Sequence, residues 1–455
     1  MWKSHTSRLS FLWFDMFNSK KPLFSRPALA AVMVLSTLVI WVLNLTAPEN
    51  PFPTPTIEKW RTSSGVSVIW LSQEKWKNTN KLEVRFTFNK LTGTSSVTDA
   101  TLTLLMADSL PLSTSSINQR LAPLAAKVSS DYNHESQTIA LTLNSEPAYL
   151  MPTLTIISQW LAAPAFKARA LDHWQRQFNQ SNITQQNLEK HLFTGTAPNT
   201  GVPEAPVTLQ SVSGYYQQLI QHTSAIFIVG EMTKQTQQAI KTTLDKLSEH
   251  FSPTPNNTAN SSTIRLQPTR SKVATQQPHI TPPKETQSML ALTPLSSVKQ
   301  WLSLQIWGAD VIDTLSHQGS LGYVRLNLTL SGQHPWVYWR AQHTQPVLAT
   351  PLESQNSKAI RPRSMINSAT IPSLQDNARF NALLEQLKTQ LAQRTLSPSW
   401  WSHLAASATQ ENSKLTLAQF ASHYQNAIDT FNQDDYKSAL NQLFIPSSYQ
   451  EIQVY

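Results

Sequence analysis

Apolar and polar positions change period along this chain often enough to order its elements. Leu82, Val84, Phe86 and Phe88 alternate with Glu83, Arg85 and Thr87. A period of two is the mark of a strand with one buried face. Gly65–Leu71 reads as an earlier strand, paired with 82–88 as a hairpin or meander. From Val97 to Asp108 the pattern changes. Ala100, Leu102, Leu104, Leu105 and Met106 leave little room for a polar face, so the stretch predicts a buried helix with Thr98 or Asp99 as its cap. Ser109-Leu110-Pro111 breaks it, and Ser115–Leu124 is a second amphipathic segment. Gln137–Leu143 alternates again. Leu150, Leu154, Ile157 and Leu161 recur at helical spacing, and Phe166–Phe178 and Val212–Ile220 predict two more helices. Ala225–Val229 is a wholly apolar strand closed by Gly230, and Thr233–Leu247 is a helix with Ile240, Leu244 and Leu247 on one side.

Phe251 to Pro283 is rich in Pro, Ser, Thr, Asn and Gln and reads as a linker. A second half follows it. Trp301–Leu315 predicts a helix. Tyr323–Leu330 and Trp336–Ala341 predict a hairpin around Gly332-Gln333-His334-Pro335. Phe380–Leu391 and Leu415–Phe431 predict helices, and Tyr449–Tyr455 a terminal strand. Strands and helices are mixed in a similar order in both halves, so the class is α+β.

The N-terminus is different. Ala28 to Leu45 holds no charge over 18 residues, about the length that crosses a bilayer core. Residues 1–26 carry Lys3, Arg8, Lys20, Lys21 and Arg26 against Asp15, a net +4 of the chain's +9. A positive flank before the run keeps the N-terminus in the cytoplasm and places the rest outside it, in the periplasm of a Gram-negative cell. The exit Leu45-Thr46-Ala47-Pro48 lacks a small-x-small cleavage site, which argues for a retained signal-anchor over a cleaved peptide. Pro48, Pro51, Pro53 and Pro55 make a stiff tether. The expected organisation is a cytoplasmic tail (1–26), a transmembrane anchor (27–46), a tether (47–56), an N-terminal half (57–250), a linker (251–283) and a C-terminal half (284–455). The other five net positive charges are spread over more than 400 residues without a dense basic, aromatic patch, which argues against nucleic-acid binding. With no cysteine, disulfides, thiolate metal sites and cysteine catalysis are excluded.

Three stretches carry a family resemblance. Ala163-Pro164-Ala165-Phe166 resembles a Pro-x-Phe approach to a helix. Thr196-Ala197-Pro198-Asn199-Thr200-Gly201-Val202-Pro203 resembles a glycine- and proline-bearing approach to the next. Ser211–Tyr216 followed by Ala225-Ile226-Phe227-Ile228-Val229-Gly230-Glu231-Met232 resembles a helix feeding a strand that closes in Val-Gly-Asp. Together with the order of elements over 57–250, these are similar to the insulinase/pitrilysin zinc peptidases, which include the mitochondrial processing peptidases. The resemblance implies two similar α/β-sandwich halves facing each other as a clamshell around a peptide. It also implies a zinc motif, His-x-x-Glu-His, on the helix at 97–108. At those positions this chain has Thr101, Leu104 and Leu105.

Zinc hydrolysis needs two histidines and a distant carboxylate on the metal, and a glutamate to take a proton from the bound water. None of the twelve histidines stands in His-x-x-Glu-His, His-Glu-x-x-His or His-x-x-x-His. The helix after Phe166 should supply the distant carboxylate, yet no Asp or Glu occurs between His173 and Leu188. His134-Glu135 reads as a solvated turn, Glu189-Lys190-His191 as a charged helix end, and His173 with Arg176 as an exposed helix face. No Gly-x-Ser-x-Gly elbow marks a nucleophile. In the second half the family resemblance places a substrate-holding Arg and Tyr. Leu315–Tyr323 keeps the tyrosine, as Tyr323, and has Ser316 in place of the arginine. The expectation is a membrane-anchored pseudoenzyme without zinc. It would bind a protein or an extended peptide, in a hetero-oligomer with an active insulinase-like subunit. The alternatives are a zinc peptidase with a displaced site and a single-pass scaffold.

Overall fold

The computed structural model describes residues 32–37, 39, 54–89, 91, 95–132, 136–178, 206–253, 285–317, 321–330, 335–343, 376–408 and 414–454. Two compact units divide at Pro51 and Phe52. In the first, residues 32–37 and 39 are helical, and the rest of the Ala28–Leu45 run lies outside the described residues. Among the described residues no helix is long and apolar enough to cross a membrane. The prolines of the tether at 48, 51 and 53, the turn at 332–334, and residues 134–135 and 189–203 also lie outside them, as does 254–283 of the expected linker.

The second unit holds two sheets. The first has six strands: β1 (Thr56–Arg61), β2 (Ser67–Ser72), β3 (Lys81–Asn89), β4 (Lys127–Tyr132), β5 (Ser136–Asn144) and β6 (Thr223–Val229). Their order is β1-β2-β6-β3-β5-β4. The expected pairing of β2 with β3 does not occur. β6 lies between them, parallel to β2 and antiparallel to β3. The reason is composition. Both faces of β6 are apolar, so it needs a central position with cover on each side. Gly230 ends it with φ +143, where an added Cβ would lie 2.6 Å from the Lys81 carbonyl oxygen. Only glycine accepts both the dihedral and the approach.

One face of this sheet makes the first core. Leu82, Val84, Phe86, Phe88, Ile139, Leu141, Ile226 and Ile228 pack beneath four helices. These are α1 (Ser95–Ala107), α3 (Pro147–Ala162), α5 (Leu209–Ile220) and α6 (Lys234–Leu247); the short α2 (Ile117–Leu121) and α4 (Ala168–Phe178) flank them. Phe251 joins this core at 1% exposure and packs on Phe86 and Phe88. The start of the expected linker is therefore part of the N-terminal half.

The second sheet has the order β10-β7-β9-β8, with β7 at Glu285–Ala291, β8 at Leu321–Thr329, β9 at Trp336–His343 and β10 at Gln450–Val454. Its helices are α7 (Val298–Ser316), α8 (Asn377–Arg394), α9 (Pro398–Ala408), α10 (Leu417–Asp429) and α11 (Gln433–Leu443). The strands β8 and β9 pair antiparallel as expected.

The clamshell expected between the halves is corrected by the other face of the first sheet. Ile69, Leu71, Ala225, Phe227 and Val229 belong to one continuous core with Trp301, Trp307, Trp401, Leu404 and Phe420 of the second half. α9 lies on β3 and β6. An apolar second face must be covered, and here the other half covers it, so the two halves share a core. The polar alternate of β3, which the pattern alone would leave in water, is enclosed too. Glu83 is 3% and Arg85 8% exposed. Ser399 Oγ donates to Glu83 Oε1 at 2.6 Å, Lys81 Nζ lies 3.1 Å from the same oxygen, and Arg85 Nε donates to Ser402 Oγ at 2.6 Å. Each buried charge thus meets a partner from α9 or from its own strand.

Candidate functional site

α1 begins at Ser95, so Thr98 and Asp99 are not its caps. Both lie inside the helix and bind side chains from other elements. Thr98 Oγ1 donates to the Tyr215 hydroxyl at 2.8 Å, and Gln137 Nε2 donates to the same oxygen. Burial pushes the Tyr215 phenol above its usual range, against the hydrogen bonds from Thr98 and Gln137. The Asp99 carboxylate accepts from Trp174 Nε1 at 2.7 Å and from the Tyr132 hydroxyl at 3.0 Å. It therefore ties α1 to α4 and to the end of β4.

One turn on are the three positions at issue. Thr101 is 0% exposed, and its hydroxyl donates to the Val97 carbonyl oxygen at 2.7 Å. Leu104, at 1%, packs with Ala100, Leu171, Trp174, Val207 and Val212. Leu105, at 0%, enters the core under the sheet. α4 faces α1 with Leu171 and Trp174, while His173 and Arg176 point to solvent as expected. Hydrocarbon offers no lone pair, and a hydroxyl already donating to its own helix is a poor ligand. The residues here do not fit a zinc ion, and burial leaves no open coordination position for water. Among the described residues no group of three or more His, Asp or Glu side chains could hold a metal.

The far end of α1 is fastened electrostatically. Asp108 bonds to Lys167 Nζ at 2.6 Å and to Arg169 Nε at 2.5 Å, and Arg169 also reaches the Thr114 carbonyl oxygen at 3.3 Å. Burial pushes the Asp108 carboxyl up, but the hydrogen bonds and charges of Lys167 and Arg169 outweigh it and hold it below the usual range. A depressed carboxylate stabilises the fold above its unfolded pKa and loses that effect as pH falls through the folded value. The stability gap between the wild type and Asp108→Asn should thus be constant above about pH 5, at roughly 1–3 kcal/mol, and shrink below about pH 4. Urea melts at several pH values measure it. A gap that widens on acidification would contradict this reading of the clamp.

Sequence periodicity gave no sign of two further features. β4 is the last strand of its sheet, and the Asn118 side chain of α2 caps it there, donating to the Val128 carbonyl oxygen at 2.9 Å and accepting from the Val128 N–H at 2.8 Å. Between β4 and the second half lies a cavity of about 750 Å³, lined by Asp131 and Tyr132 of β4, by Trp301 of α7, Arg325 of β8 and Arg394 of α8, and by His403 of α9. Burial and the Arg85 charge hold the His403 imidazole below its ordinary value. Tyr323, carried over from the resemblance, stands on β8 at 49% exposure, outside this lining. Ser316 is exposed at the end of α7.

Solved structures share this fold. A protease from Helicobacter pylori superposes with a TM-score of 0.54 at 12% identity, over 88% of this chain and 99% of its own. A peptidase M16 inactive domain from Pseudomonas fluorescens gives 0.51 at 13% identity, over 88% and 97%. The periplasmic protease PqqL from Escherichia coli gives 0.54 at 11% identity, over 99% of this chain and 50% of its own. The chain has the M16, or insulinase-like, fold. No family model matches its sequence, and no curated protein does. At these identities the likeness shows the mixed α+β fold alone. The chain spans the whole of one such unit in the first two structures and half of the third.

Proposed function

We propose that this chain is a non-catalytic M16-like subunit that binds a protein or an extended peptide and assembles with a relative that carries zinc. The observation that carries the reading is the interior of α1. Thr101, Leu104 and Leu105 are buried there at 0–1% exposure, where a peptidase needs two imidazoles, a carboxylate and water. The cavity of about 750 Å³ between β4 and the second half, lined partly by Trp301, Trp400 and Tyr338, supports the binding half of the proposal, since concave pockets of this size enclose part of a ligand. The partnering half draws on the protease PqqL, of which this chain covers half the length. Copurification tests it. Coexpressed with an M16 chain bearing an intact His-x-x-Glu-His, this chain should elute as a stable complex. Separate elution of the two at micromolar concentration would count against partnering.

The proposal places this unit outside the cytoplasm on a retained Ala28–Leu45 anchor, supported by the uncharged run and its basic flank. A reporter that works only outside the cytoplasm should be active when fused after Tyr455, and deletion of residues 1–47 should yield a soluble chain. A truncated chain that still fractionates with integral membrane proteins would refute the single anchor.

A further inference from the structure

We propose that the cavity between the halves selects acidic peptide segments, in which Asp or Glu side chains stand beside aromatic or large apolar ones. Arg325 and Arg394 are the residues that determine this preference. The inference rests on the peptide-binding reading above and adds the chemical class of the segment. Three observations lead there.

The first is unanswered positive charge. Arg325 stands on β8 and Arg394 in the last turn of α8, and both line the cavity. Arg325 Nε donates to the Asn327 side-chain oxygen at 3.2 Å, and among the described residues neither arginine meets a carboxylate. A guanidinium without a carboxylate beside it is suited to take one from a ligand, because its planar fork makes paired, charge-assisted hydrogen bonds. One cation comes from a strand and the other from a helix end, so more than one carboxylate can be received. The second observation is that nothing in the lining cancels this charge. Its one carboxylate, Asp131, already faces the guanidinium of buried Arg85. His403 adds no negative charge. The surplus is cationic, which favours acidic side chains and opposes basic ones. The third is the character of the walls. Trp301 and Trp400 meet edge to face with ring centroids 6.2 Å apart, and Ile312 of the same lining keeps 36% exposure although it is large and apolar. An acidic side chain alone would leave these surfaces in water, whereas an aromatic or large apolar neighbour covers them. Their low polarity also strengthens an arginine–carboxylate pair formed beside them. A volume of about 750 Å³ lies within the range of ligand pockets, roughly 300–1,000 Å³.

The test uses the full chain in detergent at physiological salt and a randomised dodecapeptide library, N-acetylated and C-terminally amidated so that side chains carry the only charges. Retained sequences should be enriched in Asp and Glu over the input and depleted in Lys and Arg. Each is then remade with Asn for Asp and Gln for Glu, and titrated. The acidic forms should bind the wild type at least tenfold tighter than the neutral ones. In the double variant Arg325→Ala, Arg394→Ala, the two forms should agree within twofold, and in Arg325→Lys, Arg394→Lys a preference for the acidic form should persist. Both arginines are exposed, and an unchanged thermal melt confirms that each variant is folded. Retained peptides without acidic enrichment, or equal binding of acidic and neutral forms by the wild type, would overturn the proposal and leave peptide binding intact. An acidic preference that survives the double alanine variant undiminished would overturn the role of the two arginines. If no peptide is retained, the peptide-binding reading fails, and this proposal with it.

Discussion

Rebuilding the zinc motif by Thr101→His, Leu104→Glu and Leu105→His is expected to unfold the chain before it creates a peptidase. Leu104 and Leu105 are 1% and 0% exposed, and each belongs to an apolar cluster. Removing a buried leucine costs about 2–5 kcal/mol from lost transfer energy and the cavity left behind. A glutamate and an imidazole in the same places add the desolvation of polar groups without partners, roughly 1–3 kcal/mol each by mutational measures. The total approaches or exceeds the whole stability of an ordinary domain, about 5–15 kcal/mol. A metal could offset this only through a complete site. Among the described residues of α4, the side chains turned toward α1 are Leu171 and Trp174. Denaturant melts with and without zinc measure the outcome. A folded triple variant that is stabilised by stoichiometric zinc would contradict this account of α1.

The second large effect is expected at Trp401, far from α1. Its side chain is 0% exposed, its indole Nε1 donates to the Thr395 carbonyl oxygen at 2.9 Å, and its ring meets Trp400, Phe420 and Tyr424 at 5.0–6.3 Å. It stands on α9, the helix that covers β3 and β6. Trp401→Ala should cost about 3–5 kcal/mol. Because the halves share a core, the loss should lower one unfolding transition common to both. Far-UV circular dichroism and fragment-resolved hydrogen exchange can follow that transition. A variant in which β3, β5 and α1 keep wild-type protection while only the second half opens would show that the halves fold independently.

The places where the sequence misleads have physical causes. Strand β3 shows its period plainly, but alternation cannot say what lies over the polar face. Glu83 and Arg85 look solvated until Ser399 and Ser402 are seen on the covering helix. The helix α9 hides its own period. Its buried residues include the adjacent pair Trp401 and Ser402, and its other positions are mostly small or polar. β4 is an edge strand, and Val128 is its only fully buried residue, too little apolar pattern to separate it from the turn before it. β6 was legible as an apolar strand, but local sequence does not encode which strands flank it. The head of α1 shows a similar limit. Asp99 has the residue type of a cap, and its real partners, Trp174 and Tyr132, lie 75 and 33 residues away. The absence of zinc ligands at Thr101, Leu104 and Leu105 needed only the family resemblance, because a missing imidazole is visible in any register.

A chain that binds peptide without cutting it should hold no stoichiometric zinc. The direct measurement is zinc content by plasma mass spectrometry on the purified wild-type chain, combined with mass-spectrometric detection of cleavage in a mixed peptide library, with and without chelator. The prediction is zinc far below one per chain and no cleavage that chelator removes, with hydrolysis appearing only when an intact relative is added. One zinc per chain together with chelator-sensitive cleavage by this chain alone would contradict it.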